Sequence, residues 1–348
     1  MEDPTENTGA PRSGKRRGWL ISLATVGLVF LVVETAFRLL PLDAQLDYRF
    51  DEDCYWRLKA GQSGSLWMGG GRFMSPTIHI GSDGFRICGD GEGEPGAPEI
   101  LYLGDSYTFG LGVEDQQTFS ARTGEFVEKG ALRSRNAGNP GYGVFQSAAL
   151  LKREFDAGRV ADVVVFTIPT GDILRQPFTD EAFEQYRATQ KRRKRLRDIS
   201  RVATFVYRRL IHLKRRKADA PRAVPSERSA KAVEAFRELW EADAQRIREM
   251  KTLCDERNAV FIALHWPQPS DKGWNEIVES GLESLAEEMG LIALTGLDER
   301  FAGHEAAELS IPGDGHPSVL AHELVARYLA EELAPLLREK EFEEKKDE

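Results

Sequence analysis

An α/β domain on a parallel sheet, preceded by one membrane-crossing helix, is what this sequence predicts, and three observations predict it. Between residues 99 and 337 short apolar runs alternate with amphipathic segments, the pattern that covers a parallel sheet with helices on both faces. Residues 161–168 form a continuous run rich in β-branched side chains, as expected of a strand buried on both sides. Residues 19–40 are apolar or small except for Glu34, Thr25, Thr35 and Arg38.

The span comes first. Twenty-two residues at about 1.5 Å each cover ~33 Å, enough for a hydrocarbon core of about 30 Å. Lys15, Arg16 and Arg17 precede it, while Asp43, Asp47, Asp51, Glu52 and Asp53 follow. The positive-inside rule then puts a tail of residues 1–18 in the cytoplasm and everything after Leu40 outside, periplasmic or extracellular. Glu34 and Arg38, four residues apart, are expected to pair near the outer interface. A cleaved signal peptide is the rival reading. No small-x-small cleavage site follows the apolar run, and an uncleaved single-pass anchor is the expectation.

Residues 41–98 are a lead-in segment rich in Gly, Asp and aromatics, with no sustained helical period. Cys54 and Cys88 flank one short segment within it and could bridge in an oxidising compartment, whereas Cys254, at helical spacing with Met250 and Leu253, reads as a buried apolar residue. The Gly-rich stretch at 89–96 carries three acids and opens no helix, so it reads as a turn rather than a phosphate loop.

The main domain is expected over residues 99–338, with a charged tail at 339–348. Strands are expected at 100–103, 161–168, 260–264 and 291–294, and helices at 119–129, 144–155, 229–257, 276–289 and 319–337. An insertion, residues 174–225, interrupts them. Within it, residues 187–217 hold fourteen Lys and Arg against one acid, Asp198, with Leu196, Ile199, Val202, Phe205, Val206, Leu210 and Leu213 at helical spacing. Such a segment is either a solvated cap helix packed on the domain or a basic amphipathic helix that meets anionic lipid or a polyanion.

Composition narrows the function. Of 348 residues, 41% are hydrophobic and 30% charged, too apolar for a disordered chain. Three cysteines exclude a disulfide scaffold, and a net charge of −9 argues against a general nucleic-acid binder. A mean hydropathy of −0.41 would by itself misplace the chain as wholly soluble, because it averages over the span.

Two short motifs carry chemistry. The first strand runs into Gly104-Asp105-Ser106, where a sharp turn exposes Ser106 at a strand end. Ahead of the last helix, Asp314-Gly315-His316-Pro317 puts an acid two residues from an imidazole, able to hold one ring nitrogen while the other faces a nucleophile. His265 and Trp266 follow a strand and either line the pocket or pack the loop. His322 reads as a structural hydrogen-bonder. His79, His212 and His304 are scattered without ligand spacing, so no metal and no other cofactor is expected.

These residues resemble the SGNH (GDSL-type) hydrolase family, and more closely its bacterial members with an N-terminal membrane anchor, over roughly residues 75–337. The resemblance implies a three-layer α/β/α, flavodoxin-like domain that cleaves acyl esters. It implies Ser106 as nucleophile, His316 as base, Asp314 as its orienter, and the N–H groups of Ser106 and Gly141, from Asn136-Ala137-Gly138-Asn139-Pro140-Gly141, as oxyanion donors. Ile80-Gly81-Ser82-Asp83-Gly84-Phe85-Arg86 resembles a lead-in of the anchored members, expected to be structural. The chain departs at the third family block, where Gly171 of Pro169-Thr170-Gly171-Asp172 stands in place of a donor Asn, leaving the Thr170 hydroxyl or a backbone N–H as the substitute oxyanion donor. Two further readings stay open: an acyltransferase using the same triad, and a weakened domain that binds envelope glycans or acts as a scaffold.

Overall fold

The structure, a computed structural model, describes residues 13–39, 45–89, 96–127, 132–218, 230–269 and 272–347. Residues 1–12, Leu40, Asp43, most of the 89–96 turn, Lys129, residues 219–225 and Ser229 lie outside the described residues. The first helix is α1 (Ser13–Leu39). The lead-in then forms three antiparallel pairs: β1 (Tyr48–Asp51) with β2 (Tyr55–Leu58), β3 (Gln62–Gly64) with β6 (Ile78–Ile80), and, between these, β4 (Trp67–Met68) with β5 (Phe73–Met74). It is thus a packed layer rather than a connector. Leu46, Leu58, Met68, Ile78 and Ile80 close a small core with Phe109 and Leu111.

There follow β7 (Glu99–Leu103), α2 (Ser106–Phe109), α3 (Phe119–Val127), β8 (Arg133–Asn136), α4 (Val144–Asp156) and β9 (Val163–Pro169). Next come α5 (Asp180–Ile199), α6 (Arg201–Ala218), α7 (Ala230–Asp255), β10 (Val260–Trp266), α8 (Lys272–Met289), β11 (Ile292–Leu294), α9 (Leu297–Phe301), α10 (Ala306–Leu309) and α11 (Val319–Asp347). The basic insertion is therefore two helices, broken at Ser200, where the sequence suggested one. Residues 339–347 continue α11.

The chain divides into two units, Met1–Ala44 with Tyr186–Ile211, and Gln45–Gln185 with His212–Glu348. In the second, β7 to β11 make one parallel sheet in the order β11-β10-β9-β7-β8. Side chains alternate across it, as a pleated strand requires. Ile100, Val163, Val165 and Ile262 join a core with Phe119 of α3 and Val325 and Leu329 of α11. Leu101, Val164, Phe166 and Phe261 join another with Leu151 of α4, Phe236 of α7 and Leu282 of α8. All seven residues of β9 are buried, which is why its sequence shows no alternation. The result is the expected three-layer α/β/α arrangement.

In the first unit, Gly18–Leu39 is a 22-residue helix long and apolar enough to cross a membrane. Its side chains from Trp19 to Val32 are exposed, which makes it a candidate anchor or signal. Glu34 is the exception. Its carboxylate accepts from Ser200 Oγ at 2.8 Å, from the N–H groups of Arg201 (2.9 Å) and Val202 (3.2 Å), and from Arg38 Nε at 2.8 Å. Phe37 packs on Phe205 with ring centroids 5.2 Å apart.

Candidate active site

The serine stands where the first sheet strand turns into α2. Gly104, at φ +146, makes that turn possible: a Cβ there would lie 2.3 Å from Thr108 Oγ1 and 2.8 Å from the Thr167 carbonyl oxygen, so no other residue fits. Asp105 Oδ1 accepts from Tyr107 N at 2.7 Å, capping the short helix and leaving Ser106 at its first position. Among the described residues no acceptor takes the Ser106 N–H.

The loop at 311–318 folds on itself to present the imidazole. Ile311 N donates to the His316 carbonyl oxygen at 2.7 Å, and Asp314 N and Gly315 N both donate to the Ile311 carbonyl oxygen. Gly313 (φ +74) and Gly315 (φ +94) supply the left-handed residues that so tight a loop needs. His316 Nε2 then lies 2.9 Å from Ser106 Oγ, and His316 Nδ1 donates to Asp314 Oδ1. The other carboxylate oxygen of Asp314 accepts the backbone N–H of Gly69, from the lead-in. Burial disfavours charge on Asp314, but the hydrogen bonds from His316 and Gly69 outweigh it and hold its pKa below the usual carboxylate range. Tyr107 walls the site, its ring 5.8 Å from that of His316 and 5.3 Å from that of Trp266.

A second layer supports the serine. Ser106 Oγ also lies 3.1 Å from Asp105 Oδ2. Arg175 Nη1 reaches that same oxygen at 2.9 Å, the Tyr142 carbonyl oxygen at 2.7 Å and Asp172 Oδ1 at 2.6 Å. Burial, reinforced by the nearby Asp105 charge, pushes the Asp172 carboxyl well up. Arg86, 2% exposed, ties down the loop behind α2. It donates to Asp115 Oδ1 and to the carbonyl oxygens of Phe109, Gly110 and Val113, all within 2.5–2.8 Å.

Gly141 sits at φ +86 in a turn closed by Tyr142 N on the Asn139 carbonyl oxygen, with Trp56 Nε1 holding the Pro140 carbonyl oxygen at 3.2 Å. Among the described residues its own N–H meets no acceptor. Thr170 differs from the expectation. Its hydroxyl is fully buried and donates to Asn275 Oδ1 at 2.5 Å, with His265 Nε2 2.9 Å away, so its proton is already committed inside the domain. Gly171 faces another side chain: a Cβ on it would stand 3.0 Å from Gln268 Oε1. Gln268 also meets the Tyr107 side chain, and Asn275 clamps it by both its backbone N–H and its carbonyl.

His265 and Trp266 are buried at the end of β10, within the domain rather than on a loop. His322 is buried and accepts from Phe119 N through Nδ1. His79 pairs with Asp115 at 2.6 Å, His304 lies 3.9 Å from Glu308, and His212 falls in α6. Among the described residues no three His, Cys, Asp or Glu side chains come together as metal ligands would. Cys54 and Cys88 do not bridge: both are free and buried, Cys54 against the Gln146 carbonyl and Cys88 against Ser120.

Sequence reasoning missed four of these supports. Gly69 acts through its backbone and leaves no residue-type signal beyond the Gly69-Gly70-Gly71 run. Gln268 and Asn275 announce nothing by spacing. Arg175 had one available hint, standing three residues after Asp172, within reach of a pair.

A serine at the carboxyl end of a parallel strand, facing a histidine held by an aspartate, defines a serine hydrolase on an α/β sheet. Residues 102–324 match the GDSL-like lipase/acylhydrolase family model, and the chain belongs to that family, whose members act on esters. Solved structures similar to it include a lipolytic protein of the G-D-S-L family from Desulfitobacterium hafniense (16% identity, covering 67% of this chain and 98% of that one, TM-score 0.39). An acetylxylan esterase from Geobacillus stearothermophilus is 16% identical over 69% of this chain and 95% of its own, with a TM-score of 0.40. A lipase/acylhydrolase from Enterococcus faecalis is 15% identical over 68% and 96%, with a TM-score of 0.40. None of the curated proteins compared with the chain matches it.

Proposed function

We propose that the chain is a membrane-anchored, extracytoplasmic esterase in which Ser106, His316 and Asp314 form the catalytic triad and acylated envelope glycans are the substrate class. The observation that carries the triad is the 2.9 Å approach of His316 Nε2 to Ser106 Oγ, with the opposite ring nitrogen on Asp314. His316 takes the Ser106 proton as Oγ attacks the ester carbonyl, and Asp314 stabilises the imidazolium. The N–H groups of Ser106 and Gly141 receive the carbonyl oxygen as it becomes negative. Collapse expels the alcohol, protonated by His316, and leaves an acyl group on Ser106. Water, deprotonated by the same histidine, releases the acid. Anchoring through residues 19–40 and the charge asymmetry around them support the extracytoplasmic side. The glycan assignment follows from that compartment.

A fluorophosphonate probe tests the chemistry: the full chain is labelled and Ser106→Ala is not. A well-folded wild type that resists the probe would leave the weakened glycan-binding domain, which the absence of a side chain at Gly171 favours. Hydrolysis of p-nitrophenyl acetate against transfer to an added sugar hydroxyl separates esterase from acyltransferase. A reporter fused after Leu40 that is active only in the cytoplasm would refute the orientation.

A further inference from the structure

The basic helix α6 does not begin at an arbitrary point. Its first turn is capped by Glu34, a residue of the apolar helix α1: the carboxylate takes the N–H groups of Arg201 and Val202 and the hydroxyl of Ser200, while Arg38 Nη2 donates to the Ile199 carbonyl oxygen at 3.1 Å. A carboxylate in an otherwise apolar helix is costly unless satisfied, and here four donors meet it. Glu34 stands five positions before the end of α1 at Leu39, ~7.5 Å along the axis. That is the depth, about 5–10 Å into the headgroup and acyl boundary, at which amphipathic helices lie on bilayers.

The side chains of this unit match such a position. Ile199 is 75% exposed, Val206 48% and Leu210 54%, and Val206 and Leu210 are one helical turn apart on the same face. Phe205, by contrast, is spent on Phe37. Arg201 and Arg209 are exposed on the same helix, in a stretch where residues 187–217 hold fourteen basic residues against Asp198.

We propose that α6 lies on the anionic lipid surface of the membrane that α1 crosses, with Val206 and Leu210 in the acyl boundary and Arg201 and Arg209 on lipid phosphates. This rests on the anchoring reading of α1. Lipid is the occupant because one ligand must match both the exposed positive charge, Arg209 standing over the Phe205 ring at 5.3 Å, and the exposed apolar side chains. Phosphates complement the positive charge and acyl chains cover Ile199, Val206 and Leu210, whereas a soluble polyanion would leave the apolar stripe in water. Basic residues near an anionic surface are attracted to it, so the docking depends on lipid charge and on salt.

The test uses the full chain in liposomes, with an environment-sensitive fluorophore on Leu210→Cys, Val26→Cys or Lys152→Cys. The native thiols do not compete, since burial pushes Cys54 and Cys254 up to about 12 and Cys88 to about 11. In phosphatidylcholine vesicles containing roughly a third phosphatidylglycerol, the Leu210 label is quenched by brominated lipid. Its quenching by aqueous iodide is at least ~10-fold weaker than in pure phosphatidylcholine. If the Leu210 label is as open to iodide as the Lys152 label while Val26 is quenched by brominated lipid, the anchor stands and this inference falls. If Val26 itself is open to iodide, the anchoring reading falls and takes the inference with it. Burial of the Leu210 label equal in both lipids, or only after dextran sulfate is added, overturns the assignment to anionic lipid.

Discussion

The backbone N–H of Gly69 donates to Asp314 Oδ2, across 245 residues of sequence. Asp314 thereby has one oxygen for His316 and the other for the lead-in layer, and neither can rotate without losing a bond. Gly69 itself has φ +56, and a Cβ on it would lie 2.6 Å from Phe73 Cε1 and 3.1 Å from the Gly313 carbonyl oxygen. The lead-in layer therefore fixes the Asp314 carboxylate from the side opposite His316.

Gly69→Ala tests this. A left-handed alanine costs about 1–2 kcal/mol, and the strain falls on the Asp314 contact. We expect kcat for p-nitrophenyl acetate to drop ~10- to 100-fold, the order of loss that misplacing a catalytic group causes, with KM little changed. The rate of fluorophosphonate labelling should drop in parallel. Wild-type kinetics in a folded Gly69→Ala chain would show that Asp314 needs no second anchor.

Arg86 does for the loop after α2 what Gly69 does for Asp314. It is buried, with Asp115 as counter-ion and three carbonyl oxygens from residues 109–113 as acceptors. Lysine offers a compact charge with three rotatable donors where this site uses a planar fork. Arg86→Lys is thus expected to lower the denaturation midpoint in guanidinium. Arg86→Met, which removes the charge altogether, should cost about 3–5 kcal/mol, because Asp115 then loses its buried partner.

What was legible in the sequence was local. β9 betrays itself as an unbroken apolar run because both faces are covered, and the turn at Gly104 and the Asp314–His316 pair each sit within a few residues. β8 was not legible, since Arg133-Ser134-Arg135-Asn136 lies at the edge of the sheet order, beside β7, and its polar side chains hide the strand. The break between α5 and α6 was written at Ser200, whose hydroxyl accepts from Ala203 N at 3.0 Å, a cap inside what reads as one helical period. Proximity in sequence misled for Cys54 and Cys88, because each thiol is taken up by a different neighbour. Gly69, Gln268 and Arg175 reach the site only through tertiary packing, to which residue type is blind.

Gly171 and Gln268 yield a gain-of-function prediction. The space beside Gly171 is filled by the Gln268 carboxamide, the far end of a flexible side chain. Gly171→Asn alone must displace it. The double variant Gly171→Asn, Gln268→Ala leaves room for a donor at the end of β9, and one oxyanion donor is worth ~100- to 1,000-fold in kcat where its geometry is ideal. We expect kcat to rise by about 10-fold or more in the double variant and by less in Gly171→Asn. No rise in the folded double variant would mean that Ser106 and Gly141 N–H groups already saturate the oxyanion.

Buried His322 contributes stability that acid removes. Complete burial, with the Arg86 and His316 charges adding to it, lowers its pKa from 6.5 to about 3, so the folded protein holds it neutral. The unfolded chain binds a proton there below about 6.5. Between those two values the unfolded state carries more protons, and the slope of unfolding free energy with pH is positive. Stability from this residue is therefore full above pH 6.5 and is lost as pH falls toward 3. Asp243 acts oppositely: burial raises it from 3.8 to about 6, so stability from that group is lost as pH rises through the same region. The two slopes offset between about pH 4 and 6. Removing one exposes the other: His322→Asn should lose its acid penalty, so that its Tm relative to wild type rises as pH falls from 7 to 5. Asp243→Asn should lie highest relative to wild type at pH 7. Parallel Tm profiles for His322→Asn and wild type across that range would show that the imidazole is not held neutral by the fold.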